Sequence, residues 1–285
     1  MFFYISGFFY NGRNYSNAEY YHKKVKSLLV PYFSFGIGHY LLYRLAGGHS
    51  FNELFYLFSF NTISLPIAGA LWFLTALFFT DIIYFLLDKY NMKWLILPLV
   101  LAGSFVDQIL QYPLPWALSA SFVGLGLYWL GEMSRKYEKN LTKILNMKSW
   151  QILIAGIIII VLIYINGYID MRSGCYAIIP LFWTNAIMAI FIGISISKLI
   201  CKTNRMKYIL KIGENSITYV CLNQLTIKIV SKILSYIHMP IFISHILCLL
   251  ISMIILGGLA RLFAETWLSV FIGKQDSRNR ILQKS

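Results

Sequence analysis

The sequence predicts an all-α fold: a polytopic membrane helix bundle with eight full spans plus an N-terminal half span. Of the 285 residues, 58% are hydrophobic and only 13% are charged, whereas a soluble domain of this size carries about 25% charged residues. Apolar runs of roughly 17–25 residues recur along the chain, which is the length that a helix needs to cross a bilayer. The mean hydropathy of +0.65 agrees with this fold class.

The elements follow from these apolar runs. Residues 1–10 carry no charged side chain, yet ten helical residues reach only about 15 Å, half of the hydrocarbon core. The full spans are predicted at about 28–46, 70–88, 94–110, 117–133, 150–168, 177–197, 215–236 and 241–263. The span at 94–110 is the least regular, because Pro98 and Asp107 lie inside it. No loop between spans is long enough to fold alone, so residues 1–285 are predicted to form one membrane domain.

Basic residues are distributed unevenly between the loops. Of the 25 Lys and Arg residues, 21 fall in alternate loops or in the C-terminal segment. Positive charge concentrates in cytoplasmic loops. These loops and the C-terminus are therefore predicted to face the cytoplasm, and the chain is predicted to be a multi-pass protein of the cell membrane. The formal net charge of +14 thus reflects topology, and no nucleic-acid partner is expected.

The orientation makes the start of the chain unusual. Residue 11 is predicted to be cytoplasmic, so residues 1–10 form the inner half of a descending helix and Met1 lies near the middle of the bilayer. We therefore expect that about one and a half helices are missing relative to a complete parent with ten spans.

The four cysteines, Cys175, Cys201, Cys221 and Cys248, show no CxxC spacing. Neither a disulfide framework nor a zinc site is predicted from them, and no metal is expected. The sequence also contains no P-loop, HExxH, GxSxG or GxGxxG motif.

Four segments carry a family resemblance. FFYISGFFY is followed by YYHKKVKSLLVPYF, LWFLTALFF and, late in the chain, IGENSITYVCLNQL. In order and spacing this set resembles the integral-membrane acyltransferase 3 family. The resemblance implies a ten-helix core that transfers acyl groups, mostly acetyl, from acyl-CoA to hydroxyls of cell-envelope saccharides.

This sequence departs from the family pattern at several positions. Family members carry an Arg and a His for acyl transfer in a first helix that this chain lacks. A family pair of arginines falls on Lys24 and Ser27, and many relatives have His in place of Asn223, which is a candidate catalytic position. The chain is therefore expected to be an N-terminally shortened member, either inactive as it stands or dependent on the missing segment.

Candidate donor-binding and catalytic residues lie early in the chain. Lys23, Lys24 and Lys26 crowd one helix entrance, with Arg13 nearby; they either anchor the helix at the cytoplasmic face or bind the phosphates of acetyl-CoA or another acyl-CoA. His39 lies inside a predicted span, where it either acts as a general base or bonds a neighbouring helix.

Other polar residues within the spans are substrate-binding candidates, each with a structural alternative. Ser6 and Gly7 either pack helices or allow an acyl chain to approach closely. Trp72 either belongs to the interfacial aromatic belt or stacks on a sugar. On one later helix, Lys228 and Lys232 either snorkel or line an outward cavity. Asn223 and Gln224 lie about one turn deeper, where their amides bond either a sugar hydroxyl or a helix neighbour. Asp81 must face protein or water, as an interhelical partner or a functional group.

The predicted function is a membrane O-acyltransferase that acts on a cell-envelope saccharide. The alternative is a non-catalytic membrane protein: a glycan or lipid-carrier transporter, or an inactive relative. A membrane scaffold, whose polar residues only pack helices, is a third possibility. The lipid bilayer and the saccharide are the expected partners, and no oligomeric state is predicted.

Overall fold

The computed structural model describes residues 1–48, 51–62, 65, 69–138, 148–201, 207–237 and 239–274. Helices form nearly all the regular structure in these ranges. The two strands described, β1 (Ile169–Asp170) and β2 (Cys175–Tyr176), pair antiparallel with Ile169 opposite Tyr176. The predicted all-α class is confirmed.

Twelve α-helices are described. They are α1 (Phe2–Phe8), α2 (Asn17–Lys24), α3 (Val30–Leu45), α4 (Asn52–Phe58), α5 (Trp72–Lys89), α6 (Ile96–Leu110), α7 (Leu118–Lys136), α8 (Ser149–Asn166), α9 (Ile179–Cys201), α10 (Lys207–Glu214), α11 (Ser216–Ser235) and α12 (Ile241–Glu265). A π-helical segment, Val25–Leu29, joins α2 to α3, and short 3₁₀ turns include Gly12–Asn14, Lys93–Leu95, Pro115–Ala117 and Trp267–Ile272.

Every predicted full span coincides with a helix, and the helices differ in how well they suit a membrane. By length and composition alone, four stretches among the described residues are long and apolar enough to cross one: Lys93–Leu110, Ile179–Ile200, Ser216–Ser235 and Ile241–Glu265. Helix α3 has 16 residues, and α5 and α7 carry charged side chains within or at the end of their runs. A membrane helix class is supported, and the count of eight spans stays a prediction.

The chain divides into two compact units. Unit 1 comprises Met1–Tyr21 and Ala76–Met206, and unit 2 comprises His22–Thr75 and Lys207–Ser285. The prediction of one domain over the whole chain stays a prediction.

In unit 1, α1 packs against α7 through two glycines. A Cβ on Gly7 would meet the backbone of Tyr128, and one on Gly131 would meet the backbone of Tyr4 and Phe8. Only glycine permits two helix backbones to approach this closely. The helices therefore contact along a seam that no larger residue fits.

Aromatic side chains form a buried cluster in unit 1. Tyr10, Tyr20, Tyr84, Phe85 and Tyr128 form a buried cluster, with the Tyr20 and Phe85 rings stacked at 4.3 Å. Helix α2 leads away from this cluster and begins with a capping box. Ser16 N donates to Glu19 Oε2 at 2.9 Å, and Glu19 N donates back to Ser16 Oγ at 3.3 Å.

In unit 2, α3 packs against α4, α11 and the 3₁₀ turn Trp267–Ile272, and α11 packs against α12. The Tyr32 hydroxyl donates to the carbonyl of Leu57, and the Phe35 and Phe263 rings lie 5.2 Å apart. Gly36 faces the Leu57 side chain. These contacts bury one face of α3, and that face carries His39.

Candidate functional site

His39 is the buried polar residue of α3. Tyr32, Phe35, Gly36 and His39 follow the spacing of one helix face, and all four are buried. The His39 side chain is 3% exposed, and neither ring nitrogen has a hydrogen-bond partner among the described residues. A buried polar group without a partner costs free energy. His39 is therefore a candidate for a partner that is not among the described residues.

The predicted lysine cluster lies on the same helical run as His39. Lys23 and Lys24 end α2, and Lys26 lies in the π-helical segment, a conformation often found at functional sites. Lys23 is exposed, whereas Lys24 and Lys26 are half-buried. His39 lies thirteen positions after Lys26, which is about 20 Å along a helix axis. The cations and the imidazole therefore lie at different depths of unit 2.

The polar residues of α11 also belong to unit 2. Asn223 and Gln224 are half-buried, and Lys228 and Lys232 are exposed. The two lysines are four residues apart and so share one face of the helix. Trp72, at the start of α5, is half-buried, and the centroids of the Trp72 and Phe73 rings lie 6.2 Å apart.

Ser6 and Gly7 lie in unit 1 on α1. The space above Gly7 is filled by the Tyr128 backbone, which is the helix-packing alternative. Ser6 is half-buried. Because an acyl chain has no room beside Gly7, the site proposed below omits this residue.

Arg13 lies in unit 1 and has an internal partner. Its guanidinium donates to both carboxylate oxygens of Asp88, at 2.9 and 3.1 Å. Lys93 Nζ lies 2.9 Å from the same carboxylate and 2.6 Å from Glu132, and the Tyr10 hydroxyl donates to Asp88 at 3.0 Å. The hydrogen bonds to Asp88, and then the negative charge of Asp88, raise the pKa of Arg13 above its usual value. We therefore omit Arg13 from the proposed donor site.

Asp81 accepts hydrogen bonds from two tyrosines of the aromatic cluster. The Tyr128 hydroxyl donates at 2.6 Å and the Tyr20 hydroxyl at 3.4 Å. Asp81 is 1% exposed, so these phenols replace water as its donors. This is the interhelical role, one of the two predicted for Asp81.

The network around Asp88 predicts unequal effects on stability. Asp88→Asn is expected to lower the free energy of unfolding by about 2 kcal/mol, since charged hydrogen bonds to a buried group are lost. Arg13→Ala is expected to cost about 1 kcal/mol or less, because the Arg13 side chain is 74% exposed and the Asp88 side chain only 3%. Unfolding of the purified protein in detergent measures both values. An Arg13→Ala loss of stability equal to or larger than that of Asp88→Asn would contradict this prediction.

Comparison with known proteins decides the family. A family model described as an acyltransferase domain, that of the acyltransferase 3 family, matches residues 1–262. The chain belongs to this acyltransferase family. No curated protein and no solved structure matches the chain. The resemblance inferred from the four sequence segments is thereby confirmed.

Within this member of the acyltransferase 3 family, most of the predicted site residues fall in unit 2. They are Lys23, Lys24, Lys26, His39, Trp72, Asn223, Gln224, Lys228 and Lys232, whereas Ser6, Gly7 and Arg13 fall in unit 1. Sequence reasoning missed the buried Thr218, at 0% exposure, and Ser269, at 1%. The hydroxyls of both have no partner among the described residues, and residue type alone gave no signal for them.

Proposed function

We propose that this acyltransferase is a multi-pass enzyme of the cytoplasmic membrane, with eight full spans and a cytoplasmic C-terminus. It moves an acyl group, in the first place acetyl, from acyl-CoA to a hydroxyl of a cell-envelope saccharide. The family match over residues 1–262 supports acyl transfer. The single observation that carries the site is the buried His39 with two unpartnered ring nitrogens.

The donor follows the helical run from Lys24 to His39. Coenzyme A carries its phosphates at one end and its thioester at the end of a long flexible arm. Ammonium groups at Lys24 and Lys26 bind phosphate, and the arm extends along α3. The separation of about 20 Å between Lys26 and His39 matches a ligand whose charged and reactive ends lie far apart.

The chemistry at His39 is general base catalysis. An imidazole nitrogen takes the proton of the saccharide hydroxyl as its oxygen attacks the thioester carbonyl carbon. The carbon–sulfur bond then breaks, and the CoA thiolate takes the proton from the imidazolium. An O-acyl saccharide and free CoA are the products, and the histidine is regenerated.

The acceptor is proposed to bind near the outer half of α11. Asn223 and Gln224 offer amides that bond sugar hydroxyls, and the exposed Lys228 and Lys232 attract an anionic glycan or lipid carrier. Trp72 supplies an aromatic face on which a sugar ring stacks.

The test of the function is transfer by the full chain in nanodiscs. Radiolabelled acetyl-CoA is supplied with cell-envelope saccharide fractions, and ester-linked acetyl is identified by mass spectrometry. We expect label in a saccharide ester. Binding of CoA without acetyl transfer to any fraction would favour the inactive relative. If the protein neither binds CoA nor transfers acetyl, the proposal is overturned.

Lys24→Ala is expected to raise the KM for acetyl-CoA by about tenfold with kcat little changed, since one charged phosphate contact is lost. Lys136→Ala removes an exposed lysine from the end of α7 in unit 1 and serves as the matched control. A KM that changes equally in both variants would contradict a donor role for Lys24.

A further inference from the structure

The C-terminal 3₁₀ turn of unit 2 brings an additional lysine beside the donor segment. Gly273 follows Trp267–Ile272 with φ +73, and a Cβ on it would meet the backbone of Lys26 and Ser27. Lys274 is the next residue. Its backbone N donates to the Ser269 carbonyl at 3.0 Å, which closes the end of the turn.

The Lys274 ammonium reaches the junction between α10 and α11. Its Nζ lies 3.0 Å from Asn215 Oδ1 and 3.5 Å from the carbonyl of Glu214. Lys274 and Lys26 therefore place two cations at one end of unit 2, although they are far apart in the sequence.

Two buried hydroxyls belong to the segments that Lys274 contacts. Thr218 lies three residues after Asn215, in the first turn of α11. Ser269 lies in the turn that Lys274 closes. Both hydroxyls are buried and have no partner among the described residues. Buried hydroxyls without partners are rare in folded proteins, and these two lie close in sequence to groups that Lys274 bonds, Asn215 and the Ser269 carbonyl.

We propose that Lys274, Thr218 and Ser269 form, with Lys26, a phosphoryl-binding site that holds the phosphates of the acyl-CoA donor. This inference rests on the proposed function and deepens it. Lysine ammonium and hydroxyl groups are both donors, and phosphate oxygens are acceptors. Lys274 lies beyond the family match, which ends at residue 262.

The test is calorimetric binding of coenzyme A, pantetheine and inorganic pyrophosphate to the full chain in nanodiscs of zwitterionic lipid. Lys274→Ala is expected to weaken CoA binding about tenfold, as one charged contact is lost, and to leave pantetheine binding unchanged. Lys274→Arg is expected to restore most of the affinity. An unchanged CoA affinity, or equal losses for CoA and pantetheine, would overturn the site.

The hydroxyl is tested by Thr218→Val, which preserves shape. We expect a loss of CoA affinity of about threefold or more, the scale of one neutral hydrogen bond. Thr226→Val is the matched control, because Thr226 is buried on the same helix and its hydroxyl donates to the Leu222 carbonyl at 2.9 Å. Equal CoA affinity in both variants would remove Thr218 from the site.

Two further outcomes distinguish failure of this site from failure of the proposed function, and acyl-CoA phosphate from a lipid headgroup as the ligand. Pyrophosphate binding that depends on Lys274, without CoA binding, would keep the phosphoryl site and overturn the acyl-CoA donor. Anionic lipid that is retained by the wild type and lost in Lys274→Ala, with CoA affinity unchanged, would assign the site to lipid and overturn the proposal.

Discussion

Replacing His39 by alanine is expected to lower the kcat of acyl transfer by about 10²- to 10⁴-fold, the usual contribution of a general base. The substitution removes both ring nitrogens from a buried position without changing the cations that bind the donor. CoA affinity is therefore expected to stay the same. Initial rates with labelled acetyl-CoA and calorimetric titration with CoA measure the two quantities separately.

The control for this prediction is His245→Ala, since His245 is an exposed histidine on α12 with no role in the proposed reaction. His39→Gln provides a second variant that preserves side-chain bulk. Full activity in both His39 variants would remove His39 from the mechanism, and a loss of activity with an equal loss of CoA binding would indicate a structural role.

Gly7→Val is expected to produce the largest loss of stability. Its side chain would overlap the Tyr128 backbone, and a backbone cannot move aside as a flexible side chain does. We expect a decrease in the free energy of unfolding of about 3 kcal/mol, the upper range for overpacking. Thermal or denaturant unfolding in detergent measures it.

Gly156→Val is the matched substitution, because Gly156 lies in the middle of α8 and nothing within 4 Å would contact its Cβ. Its expected effect is within about 0.5 kcal/mol, as for other surface changes. Equal stability of the two variants would contradict the close α1–α7 packing.

The long helices could be predicted because an apolar run of sufficient length is a direct physical signal. All eight predicted segments occur as helices, with ends displaced by a few residues. Helix α2 was not predicted, since its sequence is polar and has no apolar periodicity. Its capping box, Ser16 with Glu19, was the signal available for its start.

Part of the candidate site could be proposed from the sequence, where residue type and predicted depth in the membrane suffice. Lysines at a helix entrance and a histidine within a span are unusual enough to be noticed in one sequence. The Arg13–Asp88 pair joins residues 75 positions apart, and the Lys274–Asn215 contact spans 59 positions. Such pairings depend on tertiary packing, which no local pattern reports. At Gly7, the sequence left two alternatives, and the Tyr128 backbone fits the helix-packing one.

The central claim is that the basic segment entering α3 faces the cytoplasm and receives the donor there. Thiol labelling with a membrane-impermeant maleimide in sealed vesicles tests it most directly. The variants carry one cysteine each, with the other native cysteines replaced by serine. One variant is Val25→Cys, since Val25 is 39% exposed and lies beside the lysines in the sequence. The other retains Cys175, which is also exposed and is predicted to lie on the exterior side of the membrane.

The account predicts that Val25→Cys is labelled only in inside-out vesicles and is protected by coenzyme A. Cys175 is expected to be labelled only in right-side-out vesicles. Labelling of Val25→Cys from the exterior, or labelling that coenzyme A does not reduce, would contradict the claim.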